Sequence, residues 1–138
     1  MTSNNQTLLK ILDKNYKEAA YALELEKARG FVIEIQNLLN RLKRFANSAN
    51  PSYHGYTLLY VCEEIEEALN LNDSYYSTRS PAVKTVQNLI VCYICDEFPS
   101  ARYDFSNTLK DIASHNELQP VLDYVDKLYE ELEYLKKA

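Results

Sequence analysis

Apolar residues recur along this chain at steps of three and four, and no stretch alternates with period two through β-branched residues. That periodicity admits helices and leaves no material for a sheet. Only two glycines and four prolines punctuate 138 residues, so the segments between breaks are long. The expected architecture is all-α: a single domain over residues 1–138, a bundle of four to six helices with a long N-terminal helix, apolar stripes inward.

Local signals place the helices. Ser3 with Gln6 has the form of a capping box, and Leu8, Leu12, Tyr16, Ala19 and Leu23 make a first stripe. Phe31, Ile35, Leu38, Leu42 and Phe45 make a second, separated from it only by Gly30. A lone glycine costs about 1 kcal/mol against alanine without itself ending a helix, so the segment is either one long helix, straight or bent, or a hairpin at Gly30. Asn47 to Ser52, with an Asn-Pro step, reads as a turn. A second helix carries Leu58, Leu59, Val61, Cys62, Ile65, Ala68 and Leu69, and the polar run Asn72 to Ser80 closes it.

Ser80-Pro81 restarts the chain as N-cap and first helical residue, and that helix runs to about Phe98, where Pro99 stops it. A shorter segment follows with Tyr103, Phe105, Leu109 and Ile112. Asn116, with Pro120 in the first turn, is expected to open the last helix. Leu118, Val121, Leu122, Val125, Leu128, Leu132 and Leu135 line one side of it, with Asp123, Asp126, Glu130, Glu131 and Glu133 largely opposite. Lys136 and Lys137 suit the negative end of its dipole.

No apolar run approaches 18 residues and no basic-then-apolar leader follows Met1, which points away from membranes and toward the cytoplasm. Three cysteines, Cys62, Cys92 and Cys95, read as reduced thiols. The formal net charge of −5 hides a division: residues 1–50 hold 8 basic and 5 acidic side chains, whereas the remainder holds 7 and 15. That balance weakens a nucleic-acid partner without removing a local basic face, for which Arg41, Lys43 and Arg44 are the candidates.

Glu63, Glu64, Glu66 and Glu67 form the one cluster suited to metal chemistry, because Glu-x-x-Glu sets two carboxylates on one helix face. In size, class and this motif the chain resembles the all-α nucleoside-triphosphate pyrophosphohydrolases, which implies Mg²⁺-dependent nucleotide hydrolysis as an alternative function. Those enzymes complete the cage with a Glu-x-x-Asp on a following helix, where this chain has only the adjacent Asp96 and Glu97. Cys92-Tyr93-Ile94-Cys95 has zinc or redox spacing, but its apolar helical context reads as structural thiols. Catalysis through histidine would need His54 or His115; the latter reads as a surface ion pair with Asp111. Arg102 and His115 stand too far apart for the Arg-to-His nuclease motif of the higher-eukaryote and prokaryote nucleotide-binding helical domains. Gly30 and Gly55 are isolated, so no phosphate loop exists, and neither cofactor nor metal is expected.

Six positions match at an offset of 33, Tyr60 to Ile65 against Tyr93 to Phe98. The match is short and has no third copy, so it reads as coincidence between amphipathic helices.

Tyrosine is over-represented, 12 against 4 phenylalanines and no tryptophan, and five of the twelve lie between Tyr53 and Tyr76. Tyr53, Tyr56 and Tyr60 would form one ridge on a helix starting by Tyr53, with Tyr75 and Tyr76 in the loop beyond. Tyrosine gives contact area at modest entropy cost and keeps a hydroxyl for a partner. The sequence therefore favours a small regulator, inhibitor or adaptor that occludes a protein partner. The tyrosines would supply area, and the four glutamates would steer a basic partner. A homodimer through the long helix is compatible, and a nucleic-acid-associated subunit is the other alternative.

Overall fold

The computed structural model describes residues 18–48, 56–69 and 80–137, and these are helical throughout apart from short turns. Five α-helices appear among them: α1 (Glu18–Ala46), α2 (Tyr56–Ala68), α3 (Pro81–Glu97), α4 (Phe105–Ser114) and α5 (Gln119–Lys137). A 3-10 turn, Pro99–Arg102, joins α3 to α4. The capping box at Ser3 and the first part of the first stripe lie outside the described residues.

α1 passes through Gly30 without a break. Leu25, Ala28, Val32, Ile35, Leu39 and Leu42 on the two sides of the glycine are all buried at three- and four-residue steps, so burial holds one continuous helix across it. Of the first stripe, Leu23 is the member whose side chain is described; of the second, Phe31, Ile35 and Leu42 are buried. The core follows the second: Leu23 is 57% exposed, while Leu38 and Phe45 pack half-buried at its edge. An added Cβ at Gly30 would meet nothing within 4 Å. Gly30→Ala is therefore expected to stabilise the fold by about 0.5–1 kcal/mol, seen as a higher melting temperature. A lower one would show that the helix needs glycine there.

α1 is the axis of the bundle and touches each of the other four helices. α5 lies antiparallel along it. Arg29 reaches Tyr129 and Glu133, Gln36 donates to Asp126 at 2.8 Å, and Lys43 donates to Gln119 at 2.7 Å, so positions ascend on one helix as they descend on the other. α3 runs antiparallel to α5, where the rings of Tyr93 and Tyr124 stack with centroids 4.1 Å apart. The Tyr124 hydroxyl, buried, donates to the Leu89 carbonyl at 3.2 Å.

Helix ends are closed by side chains from elsewhere in the bundle as well as locally. Ser80 accepts from the Val83 amide at 3.2 Å, as expected of an N-cap, and Glu24 of α1 accepts from the Ala82 amide at 3.2 Å. At the other end of the preceding connection, the buried Gln87 amide donates to the Ala68 carbonyl in the last turn of α2. Asp104 caps α4.

The start of the last helix differs from expectation. Asn116 does not open α5; it sits in the left-handed region at φ 57° and terminates α4. The Glu117 amide returns to the Ile112 carbonyl and the Asn116 amide to Ala113, the paired bonds of a Schellman end, and asparagine tolerates that conformation better than most residues. Tyr103 is also displaced from the expected apolar set. It is 92% exposed at the end of the 3-10 turn, while Phe105, Leu109 and Ile112 are buried.

Candidate functional site

α2 turns Leu58, Val61, Cys62, Ile65, Ala68 and Leu69 into the core. Its opposite face therefore carries Tyr60, Glu63, Glu64 and Glu67, all exposed, with Tyr60 at 61%. Tyr56 begins the helix. Tyr53, Tyr75 and Tyr76 lie outside the described residues, and of the expected ridge the side chain described is that of Tyr60.

The four glutamates divide their work. Glu64 accepts a charge-assisted bond from Arg41 at 2.6 Å, tying α2 to α1, and the half-buried Glu66 accepts from the Ser106 hydroxyl of α4. Glu63 and Glu67 form no ion pair among the described residues. Two carboxylates of the run are thus structural fasteners and two remain as solvent-facing charge. Alongside them a groove of about 280 Å³ separates α1 from α2, lined by Glu34, Leu38, Glu64, Glu67 and Ala68. Its own charged lining is acidic, but it shares Glu34 and Leu38 with an adjoining cleft whose lining includes Arg41, Lys43 and Arg44.

Arg41, Lys43 and Arg44 line that adjoining cleft of about 630 Å³, and of the three only Arg41 forms an ion pair among the described residues. Arg41 belongs to Glu64 and Lys43 to Gln119, while Arg44 is exposed. Of the metal alternative, no three His, Cys, Asp or Glu side chains gather around a common point among the described residues. Asp96 pairs with Arg102 at 3.1 Å. His115 ends α4, and its ring Nδ1 lies 2.7 Å from the Asp111 carbonyl oxygen, so the expected carboxylate pair is replaced by a helix-end contact.

The three thiols are free. Cys62 is wholly buried, and that burial pushes its thiol up to about 12. Cys95 is half-buried and also raised, first by burial, whereas Cys92 is exposed. The six-residue match falls apart in space: Tyr60 faces outward and Tyr93 stacks on Tyr124, and Cys62 is core where Cys95 is half exposed.

The sequence places Glu131 on the polar side of α5, yet both of its carboxylate oxygens are buried and have no hydrogen-bond partner among the described residues. Burial raises its pKa above the ordinary glutamate value, and Lys127 one turn away pulls it part of the way back. A carboxyl that holds its proton more tightly when folded binds more protons in the native state. Its stability contribution is full below the ordinary glutamate value and is lost as pH rises through the folded one. Glu131→Gln is accordingly expected to raise the melting temperature at pH 7 and to leave it unchanged near pH 4, about the ordinary glutamate range. An equal shift at both pH values would refute the assignment.

No helix among the described residues is long and apolar enough to cross a membrane. Compared with protein-family models, with curated proteins and with solved structures, the chain matches none.

Proposed function

We propose that this chain is a non-enzymatic interaction module, a small cytoplasmic regulator, inhibitor or adaptor that covers a basic protein partner with the outward face of α2. The observation that carries the reading is the placement of Tyr60, 61% exposed, on the same face of α2 as the solvent-facing Glu63 and Glu67, the latter lining the α1–α2 groove. An exposed aromatic gives contact area once water is excluded, and solvent-facing carboxylates on the same face attract and orient a cationic surface. Glu64 and Glu66 keep the helix in position, which fixes the face before a partner arrives. Free thiols accord with a reducing compartment.

The test is capture by the immobilised full chain at two salt concentrations, with a bound protein identified by mass spectrometry and then purified for titration. Tyr60→Ala is expected to weaken its binding by about tenfold or more, the scale of an interface hot spot. Glu63→Lys with Glu67→Lys should mainly slow association and flatten the salt dependence. Both variants keep native helicity because the altered positions face solvent. Unchanged affinity in the Tyr60 variant and unchanged salt dependence in the charge-reversed one would end the proposal.

A further inference from the structure

On the flank of α2 away from α1, a second cleft of about 410 Å³ opens between α2, α3, the 3-10 turn and α4. Its apolar lining is Val91, Ala101 and Phe105, and at one edge stands Glu66, whose Oε2 is held by Ser106. A carboxylate offers about four acceptor sites and the serine uses one, so the remainder are available in a fixed orientation. Tyr103 stands at the lip, 92% exposed, a large apolar ring with no role in the core. Arg102 also lines the cleft and is paired with Asp96, both of them exposed. Glu66, Arg102 and Asp96 together carry one net negative charge, and Glu66 is the carboxylate of the lining, between an apolar floor and an aromatic lip.

We infer that this cleft receives an arginine side chain of the basic partner. This rests on the α2 docking face, one turn of helix from Glu63, and gives it a specificity pocket. The aliphatic stem lies along Val91 and Phe105, the guanidinium bonds to Glu66, and its planar face is covered by Tyr103. Arginine is favoured over lysine because a flat, weakly hydrated cation stacks on an aromatic ring and matches a pre-oriented carboxylate with two donors.

Cys95 lines the same cleft, while Cys92 is exposed outside it and Cys62 is buried, so thiol alkylation reads occupancy locally. The full chain is treated with N-ethylmaleimide in the presence of capped hexapeptides alternating glycine with arginine, lysine or citrulline. Fragment-ion mass spectrometry separates Cys92 from Cys95. The arginine peptide is expected to slow modification of Cys95 and not of Cys92, and the citrulline peptide to have no effect. Glu66→Gln, which can still accept from Ser106, should require about tenfold more arginine peptide for the same protection. Tyr103→Ala, at a position the fold does not use, should weaken protection in the same direction. Equal protection by the lysine or citrulline peptide, protection unchanged in both variants, or none at all would overturn the inference. If protection fails while Tyr60→Ala still weakens partner binding, the pocket is wrong and the docking face stands.

Discussion

Ile35→Ala is expected to lower the unfolding free energy by about 2–5 kcal/mol, the cost of deleting a buried side chain and leaving a cavity behind. Ile35 is completely inaccessible and sits near the middle of α1, the helix that packs on all the others. The surroundings cannot collapse into the space without moving several helices at once, which favours the upper part of that range. A domain of this size has only about 5–15 kcal/mol to lose, so urea denaturation should find the midpoint far below that of the parent. Ile35→Val, which removes one methylene, should cost about 0.5–1.5 kcal/mol. If alanine and valine cost the same, the site has repacked and α1 is less tightly surrounded than its burial indicates.

Arg29→Met follows at about 2 kcal/mol, through charge rather than volume. The Arg29 side chain is only 14% exposed, and it pairs with Glu133 on α5 and with Glu26 at 3.0 Å on its own helix. It also donates to the Tyr129 hydroxyl at 3.2 Å and lies 5.6 Å from the centre of that ring. Methionine keeps much of the stem's packing but removes the Arg29 charge from beside Glu133, 29% exposed. Residual access to water holds the loss below the 3–5 kcal/mol of a fully buried pair. Glu133→Gln added to Arg29→Met should recover part of the loss, a coupling that a double-mutant cycle measures directly. By contrast, removing the exposed Arg102 beside Asp96 should change stability by less than about 1 kcal/mol. Additive losses at Arg29 and Glu133 would show the pair to be energetically idle.

The helical class, the restart at Ser80-Pro81, the stop at Pro99 and the core side of α5 were legible because each depends on neighbours in sequence. Serine before proline is a cap whatever surrounds it, and a seven-residue apolar stripe allows one orientation. What escaped the pattern depends on partners distant in sequence. Glu131 looks like any other acid on a polar face, and only packing shows that its carboxylate is covered. Nothing in a run of four glutamates says that Glu64 will meet Arg41 and Glu66 will meet Ser106. Asn116 carried a double signal, since asparagine serves both as an N-cap and as a left-handed terminator, and the short link between α4 and α5 left room for only one. The cleft under Tyr103 was equally hidden, because a tyrosine beside Phe105 reads as core until the 3-10 turn swings it outward.

α1 and α5, the first and last described helices, pack along one another, and that pairing bears on how the chain folds as it is made. α1 ends at Ala46 and α5 begins at Gln119, so at about 5–20 residues per second the apolar side of α1 must wait several seconds for its principal cover. Closing so long a loop is entropically slow, whereas α2 and α3 arrive sooner and can shield Ile35 and its neighbours in part. A nascent chain ending before Gln119 would carry an uncovered stripe from Leu25 to Leu42, the kind of surface that chaperones hold and proteases find.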